Sequence, residues 1–261
     1  MQNLDKCYTG QESNFKCLHS KKSIEIASQI LKEKEAEFKT TNELNFDCFF
    51  KEEEKDGKIQ HTFSLNYIEG YTPLKPGDIL YYPCANGKVG KFLGMEHASI
   101  YIGKGACIHL WQDAGKARII ITSVKLACSS ICNLYALDTS KITFMKFHNK
   151  IGIIREAVKA LKETDSKGGT HGIYNALSNN CHQWVLDVAS ERELTQKHNR
   201  LHSRCLPFNL HIKKSKLLAE KRKEEADKHA AGDAKTAHKK MATMANRSSF
   251  KQFIKLKPTL Y

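Results

Sequence analysis

The sequence predicts an α+β fold, an antiparallel sheet packed on helices, and three observations carry that expectation. Between residues 71 and 137, short stretches of alternating apolar residues recur between glycine- and proline-marked turns, the pattern of hairpin-joined strands. After residue 150 the apolar period becomes helical, first over 151–161 and again over 181–189. Strands first and helices after them fit α+β rather than an alternating parallel sheet.

The elements follow in order. Ile24, Ile26, Ala27, Ile30 and Leu31 share helical spacing, and a charged Lys-Glu-Lys-Glu-Ala-Glu run follows them. Residues 45–51 and 61–67 flank Lys55-Asp56-Gly57-Lys58, whose Asp-Gly step predicts a β-hairpin. That hairpin reads equally as a small appendage or as edge strands of the main sheet. Pro73 and Pro76-Gly77 punctuate the chain before a short strand over 78–82, and a glycine-rich loop follows to Gly94. Residues 97–102 and 106–111 form the clearest hairpin, joined by Gly103-Lys104-Gly105, and further strands are expected over 118–124 and 132–137. Past the helix at 181–189, residues 213–229 suit a charged helix that Gly232-Asp233 interrupts, and the rest of the tail is expected to be flexible. The expected organisation is an N-terminal extension over 1–70, a main domain over 71–194 and a basic helical or flexible tail over 195–261.

Composition bounds the function. With 41% hydrophobic and 27% charged residues, the 261-residue chain suits a globular core diluted by polar segments. No run approaches the ~18 apolar residues that span a bilayer. The first residues lack the apolar stretch of a secretory signal, Gln2 does not suit myristoylation, and the last residues form no prenylation box. The expected location is therefore cytoplasmic, at most peripheral at membranes. Nine cysteines without framework spacing read as reduced thiols, most of them small buried hydrophobes. Of the net charge of +14, residues 197–261 hold +12, from 17 basic against 5 acidic side chains.

A thiol nucleophile needs a lowered pKa, a base within reach and a group that orients the base. Asn179-Asn180-Cys181 followed by an apolar-periodic helix places Cys181 at a helix N-terminus, with an asparagine as N-cap. There the helix dipole and unpaired amides favour a thiolate, and the same amides can hold an oxyanion. The hairpin offers two histidines. With a three-residue loop over 103–105, Ile102 pairs with Ala106 and Ser99 faces His109. His97 then lies diagonally from His109 on one face, at ~7–8 Å. A two-residue loop would shift the register by one and part the histidines.

Leu74-Lys-Pro-Gly-Asp-Ile-Leu80, His97-Ala-Ser-Ile-Tyr-Ile-Gly103, Ile108-His-Leu110 and Asn180-Cys181 before Trp184-Val185 together resemble the lecithin:retinol acyltransferase-like family, over about residues 72–190. The resemblance implies a circularly permuted NlpC/P60 papain-like fold. It implies Cys181 as nucleophile, His97 as base and His109 as the orienting residue. Departures fall at His182, Gln183 and Trp184, where the family usually has an acidic residue, often a histidine, then phenylalanine. Trp111 also stands where a small or polar residue is common.

The function expected first is a cysteine-dependent acyltransferase or phospholipase-type enzyme, taking an acyl group from a lipid ester and passing it to an amine, alcohol or water. The alternatives are a papain-like cysteine peptidase or isopeptidase, and a non-catalytic interaction module on the same fold. A lipid enzyme should present an apolar trench near Trp111 and Trp184. No cofactor or metal is expected. His198, His202 and Cys205 share a helical face and Cys128 and Cys132 are four apart, but tighter Cys-x2-Cys spacing is usual for closed zinc sites, and the cluster reads as basic surface. His171 reads as a turn residue, and helical geometry is expected to turn His182 away from the site. The basic tail reads as a solvated charge run or as a weak contact for anionic membrane. Its few aromatics argue against nucleic-acid stacking. Oligomeric state is left open.

Overall fold

The computed structural model describes residues 21–55, 58–83, 96–113, 116–127, 135–136, 146–166, 171–173, 181–191 and 221–232, and the architecture below is that of these residues. It is α+β with antiparallel sheets, as the strand-then-helix order predicts.

Helix α1 (Lys21–Thr41) turns Ala27 and Ile30 into the core, and of its Lys/Glu run Lys34 is buried as well. It ends where Asn42 takes a left-handed φ of 57° and its N–H donates to the Phe38 carbonyl, a closure asparagine tolerates well. Strands β1 (Cys48–Lys55), β2 (Lys58–Ser64) and β3 (Thr72–Leu74) then form a three-stranded sheet in the order β2-β1-β3. Lys55 pairs with Lys58, in the hairpin that the Asp-Gly step predicts. The hairpin is thus neither an appendage nor an edge of the main sheet. It belongs to a separate sheet, to which β3 contributes from beyond residue 70.

The main sheet has five antiparallel strands, β4 (Ile79–Pro83), β5 (Glu96–Gly103), β6 (Ala106–Asp113), β7 (Lys116–Ser123) and β8 (Tyr135–Ala136), in the order β7-β6-β5-β4-β8. Helices α2 (Val124–Ala127), α3 (Lys150–Ser166) and α4 (Cys181–Ala189) follow, with a further helix, α5, over 221–232.

Both faces of the main sheet are covered, which explains why its strands carry so few exposed polar residues. Ile79, Ala98, Ile100, Ile108, Leu110, Ile119 and Ile121 point to one face and pack with Ala27, Ile30, Ile153, Ile154, Val185 and Leu186 of the helices. Alternation sends Leu80, Tyr101 and Cys107 to the other face, against Cys48, Phe50 and Leu74 of the smaller sheet. Each fully buried isoleucine contributes ~1.5–3 kcal/mol, so the double covering is the main source of stability.

One buried charge fastens the layers. Asp78, fully buried in the turn before β4, accepts from the Lys75 N–H at 2.9 Å, from Lys150 Nζ of α3 at 2.9 Å, and from both Arg222 nitrogens of α5 at 2.6 and 3.0 Å. Burial opposes its charge, but the two cations and their hydrogen bonds prevail and hold the carboxyl well below its usual range. The central part of the basic tail is therefore a docked helix. The segments on either side of it, 192–220 and 233–261, lie outside the described residues.

Candidate functional site

The geometry of the site starts in the β5–β6 turn. Gly103 pairs with Ala106, so the loop is the two residues Lys104-Gly105 and not the expected three. Their φ values of 52° and 73° are those of a type I′ turn, which matches strand twist. Alone, that turn would part the two histidines. A bulge between Tyr101 and Gly103 adds one residue and restores the register, so that Tyr101 pairs with Cys107 and Ile100 with Ile108. Ser99 then stands opposite His109, and His97 lies diagonally from it on one face. The two rings are 4.9 Å apart and nearly perpendicular, with His97 Nε2 2.7 Å from His109 Nδ1.

The N-terminal region holds this turn. Tyr101, fully buried, donates its hydroxyl to Asp47 Oδ1 at 2.6 Å and accepts from the Gly105 N–H at 3.0 Å. Asp47 Oδ2 accepts from the Lys104 N–H at 3.0 Å and pairs with Lys34 Nζ of α1 at 2.8 Å. Neither Asp47 nor Lys34 stood out in the sequence, because their role appears only once the two regions meet.

Beyond His109 the chain of polar contacts continues. Its Nε2 lies 3.2 Å from Thr122 Oγ1 on β7, which in turn lies 3.4 Å from Cys107 Sγ. Trp111 completes the face, its ring edge-on to His97 at 6.0 Å and to His109 at 5.9 Å. Burial depresses both imidazoles: His97 falls well below its usual range, with His109 and then His182 adding to the effect, and His109 falls to about 3. Burial pushes the Cys107 thiol up to about 11, so it stays protonated. Both histidines are therefore neutral, the form in which an imidazole can accept a proton.

Cys181 is the first residue of α4 and is 3% exposed. Asn179 and Asn180, the expected caps, lie outside the described residues. The first turn of α4 borders the start of β5: the His182 ring stacks on Tyr81 at 5.4 Å, Tyr81 pairs with Ala98, and His182 acts electrostatically on His97. His182 is half-buried beside Tyr81, where the helix meets the sheet. Cys181 packs in the helix-side cluster with Ala98, whereas alternation sends His97 to the other face.

Of the two tryptophans, Trp111 stands beside the histidine pair, while Trp184 is 3% exposed inside the core. His171 is exposed, its N–H donating to the Ala117 carbonyl at the start of β7. Cys128, Cys132, His198, His202 and Cys205 lie outside the described residues, among which no cluster suited to a metal ion occurs. Among the described residues no helix is long and apolar enough to cross a membrane. No family model and no curated protein matches the chain.

Proposed function

We propose that this protein is a cysteine-dependent acyl-transfer enzyme of the permuted papain-like kind, with Cys181 as nucleophile, His97 as base and His109 as the residue that orients it. The observation that carries the reading is the 2.7 Å contact between two buried, neutral imidazoles, beside the N-terminal turn of a helix that begins with a cysteine. The ordered motifs shared with the lecithin:retinol acyltransferase-like family support a lipid ester as acyl donor. Contact with that lipid through the basic tail is part of the same proposal.

The chemistry divides into two transfers. His97 takes the Cys181 proton, and the thiolate adds to the ester carbonyl. Helix N-terminal amides stabilise the oxyanion that forms. Collapse breaks the ester C–O bond, the leaving alcohol takes the proton from His97, and an acyl-thioester remains on Cys181. His97 then deprotonates an amine, alcohol or water, which attacks the thioester and releases the thiolate. Burial makes His97 a weak base by itself, so the first transfer depends on the thiolate standing beside the imidazolium it creates. Labelling by a thiol-directed acyl probe should be lost in Cys181→Ala. Unchanged labelling would move the chemistry to another cysteine.

Cys181's place in an apolar cluster is the observation that favours a non-catalytic module instead. That reading predicts no probe labelling of Cys181 in the folded protein.

A further inference from the structure

We infer that Thr122 is a positioning residue: its hydroxyl accepts from His109 and so fixes the tautomers of both histidines, leaving His97 Nδ1 as the proton acceptor. The inference deepens the proposed reading and rests on it for its catalytic meaning, although its structural part can be tested without any turnover.

A neutral imidazole carries one N–H and one lone pair. The contact between His97 Nε2 and His109 Nδ1 therefore has two possible directions. If His97 donates, its Nδ1 bears the lone pair, and His109 must carry its own hydrogen on Nε2, facing Thr122. If His109 donates, His97 carries its hydrogen on Nδ1 and has no lone pair left for a thiol proton. Only the first arrangement makes His97 a base.

Thr122 selects between them. Thr122 Oγ1, 3.2 Å from His109 Nε2, stands where it can accept the hydrogen of that nitrogen. In that arrangement the Thr122 hydroxyl proton is free to point at Cys107 Sγ, 3.4 Å away. The hydrogen bonds then all run one way, from His97 Nε2–H to His109 Nδ1, from His109 Nε2–H to Thr122 Oγ1, and from the Thr122 hydroxyl to Cys107. The chain is buried throughout: His97, His109, Thr122 and Cys107 are 7, 2, 6 and 0% exposed, so bulk water does not compete for these groups. Register explains why Thr122 is in place. Cys107 pairs with Thr122 and His109 with Ile120, which puts Thr122 on the histidine face, one step along β7.

The test begins with nitrogen-15 NMR of the full-length protein at neutral pH. The wild type should show His97 and His109 both as the Nε2–H tautomer. A His109 that carries its hydrogen on Nδ1 overturns the inference outright. Thr122→Val keeps the branched shape and removes the acceptor. It should raise the Nδ1–H population of His109 and slow acylation of Cys181 about tenfold, the scale of one hydrogen bond. Thr122→Ser restores the hydroxyl and should restore both tautomer and rate, which a packing role for the methyl would not do. Unchanged tautomers in Thr122→Val, or no rescue by serine, refutes the role. A wild type with the stated tautomers but no acylation of Cys181 would refute the acyl-transfer reading alone.

Discussion

Two imidazoles in contact away from water are a thermodynamic liability that pH exposes. Burial holds His97 and His109 below the ~6.5 of an unfolded histidine, so the unfolded chain binds more protons in acid. Their neutral forms support the fold fully above pH ~6.5, and that support is lost as pH falls from there toward the folded value of about 3. Each pH unit in this window costs up to ~1.4 kcal/mol per histidine. The urea midpoint should therefore drop between pH 7.5 and 5.0, and the drop should shrink in a His97→Gln, His109→Gln double variant. Asp78 is held low by its cations and adds its own loss only below its unfolded value, near pH 4. A midpoint indifferent to pH over that interval would contradict the burial of the pair. At this scale the sequence pointed to His97, His109 and the helix that starts at Cys181 through strand alternation and helical period, but left open the register that brings the histidines together. Thr122 was not legible, because it joins the histidines only through the pairing of a third strand.

Turns decide whether the side chains meet. The β5–β6 loop is one residue shorter than its Gly-Lys-Gly composition led us to expect, and the bulge at its foot restores the register. Two errors of one residue cancel, which a count of loop residues cannot reveal. The Asp-Gly hairpin, by contrast, was legible because its two-residue turn chemistry admits few alternatives. Gly77 sets the other critical turn. Its φ is 84°, and an added Cβ would lie 2.6 Å from the Lys150 carbonyl oxygen at the start of α3. Gly70 has a similar φ of 77° but open space around it. Gly77→Ala should therefore destabilise by ~2–3 kcal/mol and Gly70→Ala by ~1 kcal/mol or less, as read from denaturant midpoints. Equal effects would show that backbone strain, not the close approach of α3, dominates at Gly77.

In the whole molecule the extension and the tail both serve the central sheet. Residues before 70 supply β1 and β2 of the sheet that covers one face and pin the histidine hairpin through Asp47 and Lys34, while Arg222 of the tail reaches the buried Asp78. Such long-range pairings leave no periodicity, so neither role was legible from composition. Of the tail's charge, residues 233–261 hold 7 basic and 1 acidic side chain. Truncation after Gly232, which spares Arg222, should reduce co-sedimentation with acidic vesicles at low salt. Binding by the full-length protein should fade as screening shortens to ~8 Å near physiological ionic strength. Equal binding by both forms would assign the charge another role. The central claim, that Cys181 carries an acyl group, is tested most directly by intact-mass measurement of the full-length protein mixed with an acyl-glycerophospholipid. An acyl increment that hydroxylamine removes is expected, absent in Cys181→Ala and forming ~10²–10⁴-fold more slowly in His97→Ala. An increment that persists in Cys181→Ala, or no increment with any lipid ester while a peptide or isopeptide bond is cleaved, would contradict it.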